Sequence, residues 1–469
     1  MSSGIKKNSL DVFIGHTQKI GAITLDIGSE NEITFTYEPE WINKGFAISP
    51  HLPLNGDFDS RDVRNYLQNL LPEGKGLDEI ISSTTISKNN TFGLIKVIGE
   101  ETSGALSFRA SNSTLKQTSF REVTNDELSQ KLKRFVQVGE PITHWDGRTR
   151  LSVAGVQDKL NLLEINNKLG FGEGELCSNK IFKFETGTAP FIAVNELFTM
   201  LLAKESGLNV PHVELRTYAD VRVFVIDRFD RRVTQDQNRV LRRHIIDGCQ
   251  ATNLPPSYKY ERQHGDDGDD GDDGDDGIYI RDGVSFAKLF NVKTTNVQAY
   301  EAQLIRWMTF NILVRNYDAH GKNISFFVGK NGLELTPFYD LVNIEAIIEQ
   351  GSIDRDMGYL QPKISRCYAM SVGEHNSQSA GNFTNEITAY MLADFADEFA
   401  ISLPRMQLLM SQTVDSVLAA IDTAKVSAVK NNLSSAELAH IDLCIKIINK
   451  AANKLSEQII QLPSMDAFI

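Results

Sequence analysis

The sequence predicts an α+β protein with a bilobal fold, a β-rich N-terminal lobe followed by a mostly α-helical C-terminal lobe. Up to about residue 228, short runs alternate apolar and polar residues, the period of half-buried strands. After about Asp230 the apolar residues recur at helical spacing instead. At 469 residues the chain is also longer than one hydrophobic core ordinarily supports, so two or three packed units are expected. The expected divisions are a β-rich subdomain over 1–110, the rest of the N-terminal lobe over 111–228, and a helical lobe over 229–469.

Along the first part, Asp11–Gly15, Ala22–Ile27 and Glu32–Tyr37 read as strands divided by Gly, Asn and Asp. Ser60–Leu71 reads as one helix interrupting the sheet, with Val63, Tyr66, Leu67, Leu70 and Leu71 on one face, Ser60 as N-cap and Pro72 as stop. Residues 111–149 are more polar and mark a boundary, within which Phe120–Phe135 is helix-compatible. Strands Leu160–Ile165 and Lys180–Glu185 follow, then a helix over Ala189–Ser206 and an apolar strand entering the charged turn of Arg222–Arg231. Helical spacing then marks Ala299–Val314, Thr384–Phe399, Met406–Thr423 and Ser435–Leu455.

No stretch reaches the roughly 18 apolar residues that a membrane span needs, and Met1–Phe13 lacks a signal-peptide core, so no membrane and a cytoplasmic location are expected. Cys177, Cys249, Cys367 and Cys444 are far apart with no C-x-x-C pair, which points to buried thiols rather than disulfides or zinc. The net charge of −13 argues against a primary nucleic-acid binder. Eight of those negatives sit in the Gly265–Gly277 tract, GDDGDDGDDGDDG, leaving −5 for the rest. The tract has no apolar surface to bury and repels itself, so it reads as a disordered inserted loop. Its period of three places Gly where an EF-hand needs its second ligand, and collagen would require proline.

The segment 318–340, DAHGKNISFFVGKNGLELTPFYD, carries chemistry. Asp318 and Asn323 have the D-x-x-x-x-N spacing of the proton-accepting aspartate and metal-binding asparagine in a kinase catalytic loop. Ile324–Val328 and Leu333–Pro337 read as strands joined by Gly329-Lys330-Asn331-Gly332, a hairpin that returns Asp340 beside Asn323. A carboxylate and an amide oxygen suit Mg²⁺, which completes its shell with water and phosphate. Such a loop alone is compatible with an ordinary surface turn; the apolar Leu304–Val314 before it and the strand ending in Asp340 favour the functional reading, a kinase-like one.

Such chemistry needs donors for the phosphates of ATP, which would make 111–228 the nucleotide-binding part. The small-residue stretch Ala154, Gly155, Val156, Gln157, Asp158 and Lys159 allows backbone N–H groups to approach phosphate, although it has no Walker pattern. Lys183 shares a strand face with Ile181 and Glu185 and is expected on the phosphates; Glu196, on an apolar helix face, is a second candidate partner for it. The backbone of Asp227 and Phe229 stands where a hinge to the helical lobe belongs.

In LSVAGVQDK, KIFKFE, VIDRFDR, CQATNLPPSYKYE, NYDAHGKNIS and LTPFYDLVN, taken in this order, the chain resembles the HipA family of bacterial toxin–antitoxin kinases over most of its length. The resemblance implies a serine/threonine protein kinase using ATP and Mg²⁺, paired with a small DNA-binding HipB-like antitoxin, that slows growth by phosphorylating a translation component, with glutamyl-tRNA synthetase a family target. By motif, Asp318 is the base, Asn323 and Asp340 hold the metal, and His320 approaches the phosphates. Tyr339 flanks the adenine, Asp227, Arg228 and Phe229 form the hinge, and Gln250 is a further contact. Ser152 matches an autophosphorylated serine, whose phosphate would repel ATP from the neighbouring loop. The Asp/Gly insertion departs from the motif set, and Ser371–Asn382 has no Lys or Arg, so operator DNA would be reached mainly through the antitoxin. Two other readings fit the same residues: a corepressor in which catalysis is secondary, and a kinase of a small alcohol or lipid headgroup.

Overall fold

The computed structural model describes residues 8–26, 32–111, 113, 115–150, 159–185, 189–263, 281–356, 366–373 and 386–467. The chain divides into two compact units, one comprising Met1–Phe184, Thr217–Pro256 and Ser325–Thr336, the other Glu185–Arg216, Ser257–Ile324 and Pro337–Ile469. It is an α+β protein, with its sheets concentrated in the first unit and its long helices in the second.

The first unit opens with an antiparallel sheet of β1 (Asn8–Ile14), β2 (Gln18–Asp26), β3 (Glu32–Tyr37) and β4 (Leu106–Ala110), ordered β3-β2-β1-β4. Alternation in β3 buries Ile33, Phe35 and Tyr37 and exposes the residues between them. Four helices, not one, separate β3 from β4: α1 (Pro39–Lys44), α2 (Ser60–Gln68), α3 (Gly74–Ser83) and α4 (Thr91–Ile98). Three of them are too brief or too rich in Gly for a helical period to show. The α2 cap is Asp59 rather than Ser60. Its carboxylate accepts the N–H groups of Arg61 and Asp62 at 2.8 and 3.1 Å, and the Asp62 carboxylate accepts the Asp59 N–H at 2.9 Å. Ser60 instead accepts the Ile33 N–H at 3.0 Å, tying α2 to β3.

A second sheet comprises β5 (Ser119–Glu122), β6 (Lys159–Ile165), β7 (Lys168–Glu173), β8 (Lys180–Phe184), β9 (Val213–Tyr218) and β10 (Val221–Asp227), ordered β9-β10-β8-β6-β7-β5. One face packs Leu160, Leu162, Phe182, Phe184, Val223 and Val225 with Leu128 and Leu132 of α5 (Asn125–Val138). The expected helix over Phe120–Phe135 begins only at the Thr124/Glu127 capping box, because the residues before it extend the sheet as β5. A third sheet joins β11 (Ile245–Asp247) to the hairpin of β12 (Ser325–Gly329) and β13 (Gly332–Leu335), with Gly329 opposite Gly332 across the turn Lys330-Asn331.

A buried ionic cluster holds the strand ends of this unit. Asp230 accepts two bonds from Arg228, at 3.0 and 2.8 Å, one from Arg231 at 2.6 Å and one from the Gly104 N–H at 2.9 Å. The two guanidiniums hold its carboxyl far below the ordinary carboxylate range, against the penalty of burial. Gly104 must be glycine here: its φ is +73°, and a Cβ would lie 2.9 Å from the Ile245 nitrogen.

In the second unit α6 (Ile192–Glu205) is buried on almost every side and packs against α11 (Leu403–Val429) and α12 (Ser435–Gln461). The other helices are α7 (Phe286–Phe290), α8 (Val297–Leu313), α9 (Ile344–Asp356) and α10 (Ala389–Glu398). Asn195 of α6 donates to the Asn343 carbonyl at 2.9 Å and to His440 Nε2 of α12 at 3.0 Å, fixing three segments with one amide. The four cysteines are free and buried. Among the described residues no helix is long and apolar enough to cross a membrane. The Asp/Gly tract lies outside the described residues.

Replacing Asp230 by Ala removes the carboxylate that both buried guanidiniums bond, leaving Arg228 the more distant Glu101 at 3.8 Å, and is expected to cost about 3–5 kcal/mol, measurable as a lower urea midpoint. Burial lowers the imidazoles of His244 and His440 to about 4 from an ordinary 6.5. The unfolded chain therefore takes up these protons first, so the stability they contribute is full above about pH 6.5 and is lost as pH falls towards 4. The thermal midpoint is expected to drop between pH 7 and pH 5, and the drop should shrink in His440→Asn.

Candidate active site

The residues expected to act form two sets, one in each unit. In the second unit the loop after α8 leaves the helix through Arg315, whose φ of +54° turns the chain. Asn316 then sits almost fully buried, 1% exposed, at the centre of the site. Its Nδ2 donates to Asn311 Oδ1 at 2.9 Å and to the Asp340 carbonyl at 3.4 Å, while its Oδ1 accepts the Asp318 N–H at 3.2 Å. The Asp318 carbonyl accepts the Asn323 Nδ2 at 2.7 Å and the His320 N–H at 2.8 Å. That bond directs the Asn323 amide nitrogen into the loop and turns the amide oxygen the other way. The Asp318 carboxylate is exposed, while His320 and Asn323 are buried.

Asp340 reaches the same place from the other side of the hairpin. Phe338 stacks on Trp307 of α8 with centroids 5.8 Å apart and planes at 11°, and its N–H donates to the Asn209 carbonyl at 2.8 Å. The Tyr339 hydroxyl donates to the Lys322 carbonyl at 2.7 Å. Asp340 itself has a φ of +59°, a conformation that costs free energy for a residue with a Cβ and is held by these neighbours. The structure thus brings Asp318, His320, Asn323, Tyr339 and Asp340 together. Their donor set, one carboxylate and one amide oxygen beside a second carboxylate, fits a hard octahedral cation that keeps several waters.

In the first unit Lys159 and Lys183 are direct partners across β6 and β8, on the face opposite the packed core. Both are buried, and Lys183 Nζ lies 6.0 Å from the Phe224 ring centroid. Asp227 ends β10 and pairs with Lys180. Arg228 commits its N–H to the Asn179 carbonyl at 2.9 Å and its guanidinium to Asp230 and Ser178. The Phe229 ring meets Phe327 edge-on at 6.0 Å. Gln250 caps a single helical turn, Gly248–Ala251: its Oε1 accepts the Asp247 N–H at 3.0 Å and its Nε2 donates to the Tyr66 carbonyl at 3.0 Å. Ser152, Ala154, Gly155, Val156, Gln157 and Asp158 lie outside the described residues.

Sequence reading missed two residues at the site and the cap at Gln250. Asn316 had a signal in Asn-Tyr-Asp, a spacing at which an Asx side chain bonds the backbone two residues on. Gln250 had one in the Asp-Gly-Cys-Gln capping box. Tyr260 had none. Its hydroxyl donates to Asp318 Oδ1 at 2.5 Å, across 58 residues of chain.

Comparison with known proteins bears on the same segments. Residues 151–421 match the model of the HipA-like C-terminal domain, and residues 10–109 that of the HipA N-terminal domain. The chain is 38% identical over 413 residues to the serine/threonine-protein kinase toxin HipA of Shewanella oneidensis, covering 88% of this chain and 87% of that protein. It is 26% identical to a putative kinase of Sinorhizobium fredii, over 86% of this chain and 88% of the other. Among solved structures it is similar to HipA in the Shewanella oneidensis complex of HipA, HipB and operator DNA, with a TM-score of 0.76 and 33% identity over 97% of this chain and 99% of that one.

Asn316→Ala removes a buried amide that joins three segments and leaves its partners unsatisfied. It is expected to cost about 1–3 kcal/mol in stability and to reduce the rate of phosphate transfer at saturating ATP, with urea unfolding and steady-state assays as the measurements.

Proposed function

The chain belongs to the HipA family and is a protein-serine/threonine kinase, and from that premise we propose an ATP- and Mg²⁺-dependent toxin of a toxin–antitoxin pair. The observation that carries the chemistry is the attachment of Asp318 and Asp340 to the one buried amide of Asn316, with Asn323 bonded to the Asp318 carbonyl. In this reading Asp318 accepts the proton of a seryl or threonyl hydroxyl as its oxygen attacks the γ-phosphorus. Asn323 and Asp340 would hold Mg²⁺, which neutralises charge on the phosphates; His320 approaches those phosphates and Tyr339 flanks the adenine.

Lys183, Lys159 and the backbone of 154–158 would supply the remaining phosphate donors, and the facing pair of buried lysines supports this. Asp227 and Phe229 would meet the adenine at the hinge. Arg228, whose donors are committed to Asp230, would anchor that hinge, and Gln250 would hold its turn in shape. The HipA–HipB–operator complex supports a HipB-like antitoxin as partner, with DNA reached mainly through it. A translation component, glutamyl-tRNA synthetase first among candidates, would be the acceptor, and autophosphorylation of Ser152 would switch the kinase off by setting phosphate charge beside the ATP loop.

Incubating dephosphorylated chain with Mg·ATP, followed by intact-mass and peptide mass spectrometry, tests this directly. One phosphate at Ser152 is expected in the wild type and none in Asp318→Asn. Absence of phosphate in both, with ATP binding retained, would favour a corepressor in which catalysis is secondary.

A further inference from the structure

We infer that Tyr260 is a positioning residue for Asp318, holding its carboxylate through Oδ1 so that Oδ2 faces the acceptor hydroxyl. The inference rests on the reading of Asp318 as the catalytic base. Among the described residues, the Tyr260 hydroxyl makes the hydrogen bond to that carboxylate, at 2.5 Å. An exposed aspartate without such a bond turns about its side-chain torsions, whereas a base must stand within reach of the proton it takes. The same ring meets His320 edge-on, with centroids 4.9 Å apart and planes at 84°, so one side chain orients two members of the catalytic loop.

The backbone around Tyr260 is itself fixed. The Tyr258 carbonyl accepts the Val284 N–H at 2.9 Å, the Lys259 carbonyl accepts the Gly321 N–H at 2.8 Å, and the Glu261 N–H donates to the Ala369 carbonyl at 2.9 Å. Glu261 adds two bonds from Ser371, both at 2.6 Å. Gly283 passes so close that a Cβ there would lie 2.0 Å from the Tyr260 carbonyl oxygen, and its φ of +81° also requires glycine. A tyrosine anchored on both sides and bonded to the base is built to stay in place rather than to swing. This distinguishes a positioning role from a plug that a substrate must expel.

The experiment compares wild type, Tyr260→Phe, Tyr260→Ala and Asp318→Asn, as full chains, by the initial rate of phosphate incorporation against Mg·ATP concentration. Tyr260→Phe keeps the ring against His320 and loses the hydroxyl alone. Its limiting rate is expected to fall about tenfold or more, the scale of a hydrogen bond to a charged group, with half-saturating ATP unchanged. Tyr260→Ala should lose at least as much rate and also raise half-saturating ATP. A Tyr260→Phe rate equal to wild type, or above it, overturns the inference while a dead Asp318→Asn leaves the kinase reading standing. Equal rates in wild type and Asp318→Asn, or no incorporation in either, defeat the kinase reading and this inference with it.

Discussion

The loop that follows α8 hangs on the buried amide of Asn316. A primary amide carries two donors and one acceptor oxygen in a fixed plane, so it can join segments that have no other reason to meet. Here it bonds the last turns of α8 through Asn311, the start of the following loop through the Asp318 N–H, and the far side of the hairpin through the Asp340 carbonyl. Each bond contributes about 1 kcal/mol net, a modest sum. Their weight comes from burial, because an amide 1% exposed has no water to replace a lost partner. The strained backbone of Asp340 is tolerated for the same reason: Phe338 against Trp307 on one side and Asn316 on the other leave it no relaxed alternative.

The first unit solves a different problem with the same economy of groups. Its second sheet buries an apolar face against α5 and turns Lys159 and Lys183 towards the other. Where β10 ends, the chain must turn within protein rather than at the surface, and Asp230 makes that possible. Two guanidiniums and the Gly104 N–H satisfy a carboxylate that would otherwise take up a proton, and the guanidiniums in turn reach Thr102, Gly104 and Ser178. Arg228 was therefore legible as a charged turn residue, but its direction was not. A charge run in sequence looks the same whether it faces solvent or a buried counter-ion.

Much of the fold was legible where period and capping agreed. β3 alternates cleanly, α2 carries Val63, Tyr66 and Leu67 of its expected apolar face although it stops at Gln68, before Leu70 and Leu71, and α8, α10, α11 and α12 keep their spacing through several turns, whereas α9 was not read. α1, α3 and α4 were not, since six to ten residues give too few turns to reveal a period, and α4, TFGLIKVI, has the composition of a strand. At the candidate site, Asp318, Asn323 and Asp340 stood out because the chemistry expected of them fixes residue type and spacing. Tyr260 was not, because what makes it matter is a contact across 58 residues, and nothing local records that.

By itself, the sequence determined what depends on neighbours along the chain: the α+β division, the hairpin between Asn323 and Asp340, the residue types of the loop after α8 and the buried thiols. Tertiary structure alone decided which polar groups face one another: Asn316 at the centre of the loop, Tyr260 on Asp318, Lys159 across from Lys183, and Arg228 on Asp230. The physical reason is that local conformation follows from torsional preference and period, which a short window contains. The partner of a buried hydrogen bond or charge is set by the packing of distant segments, and is known only when they meet.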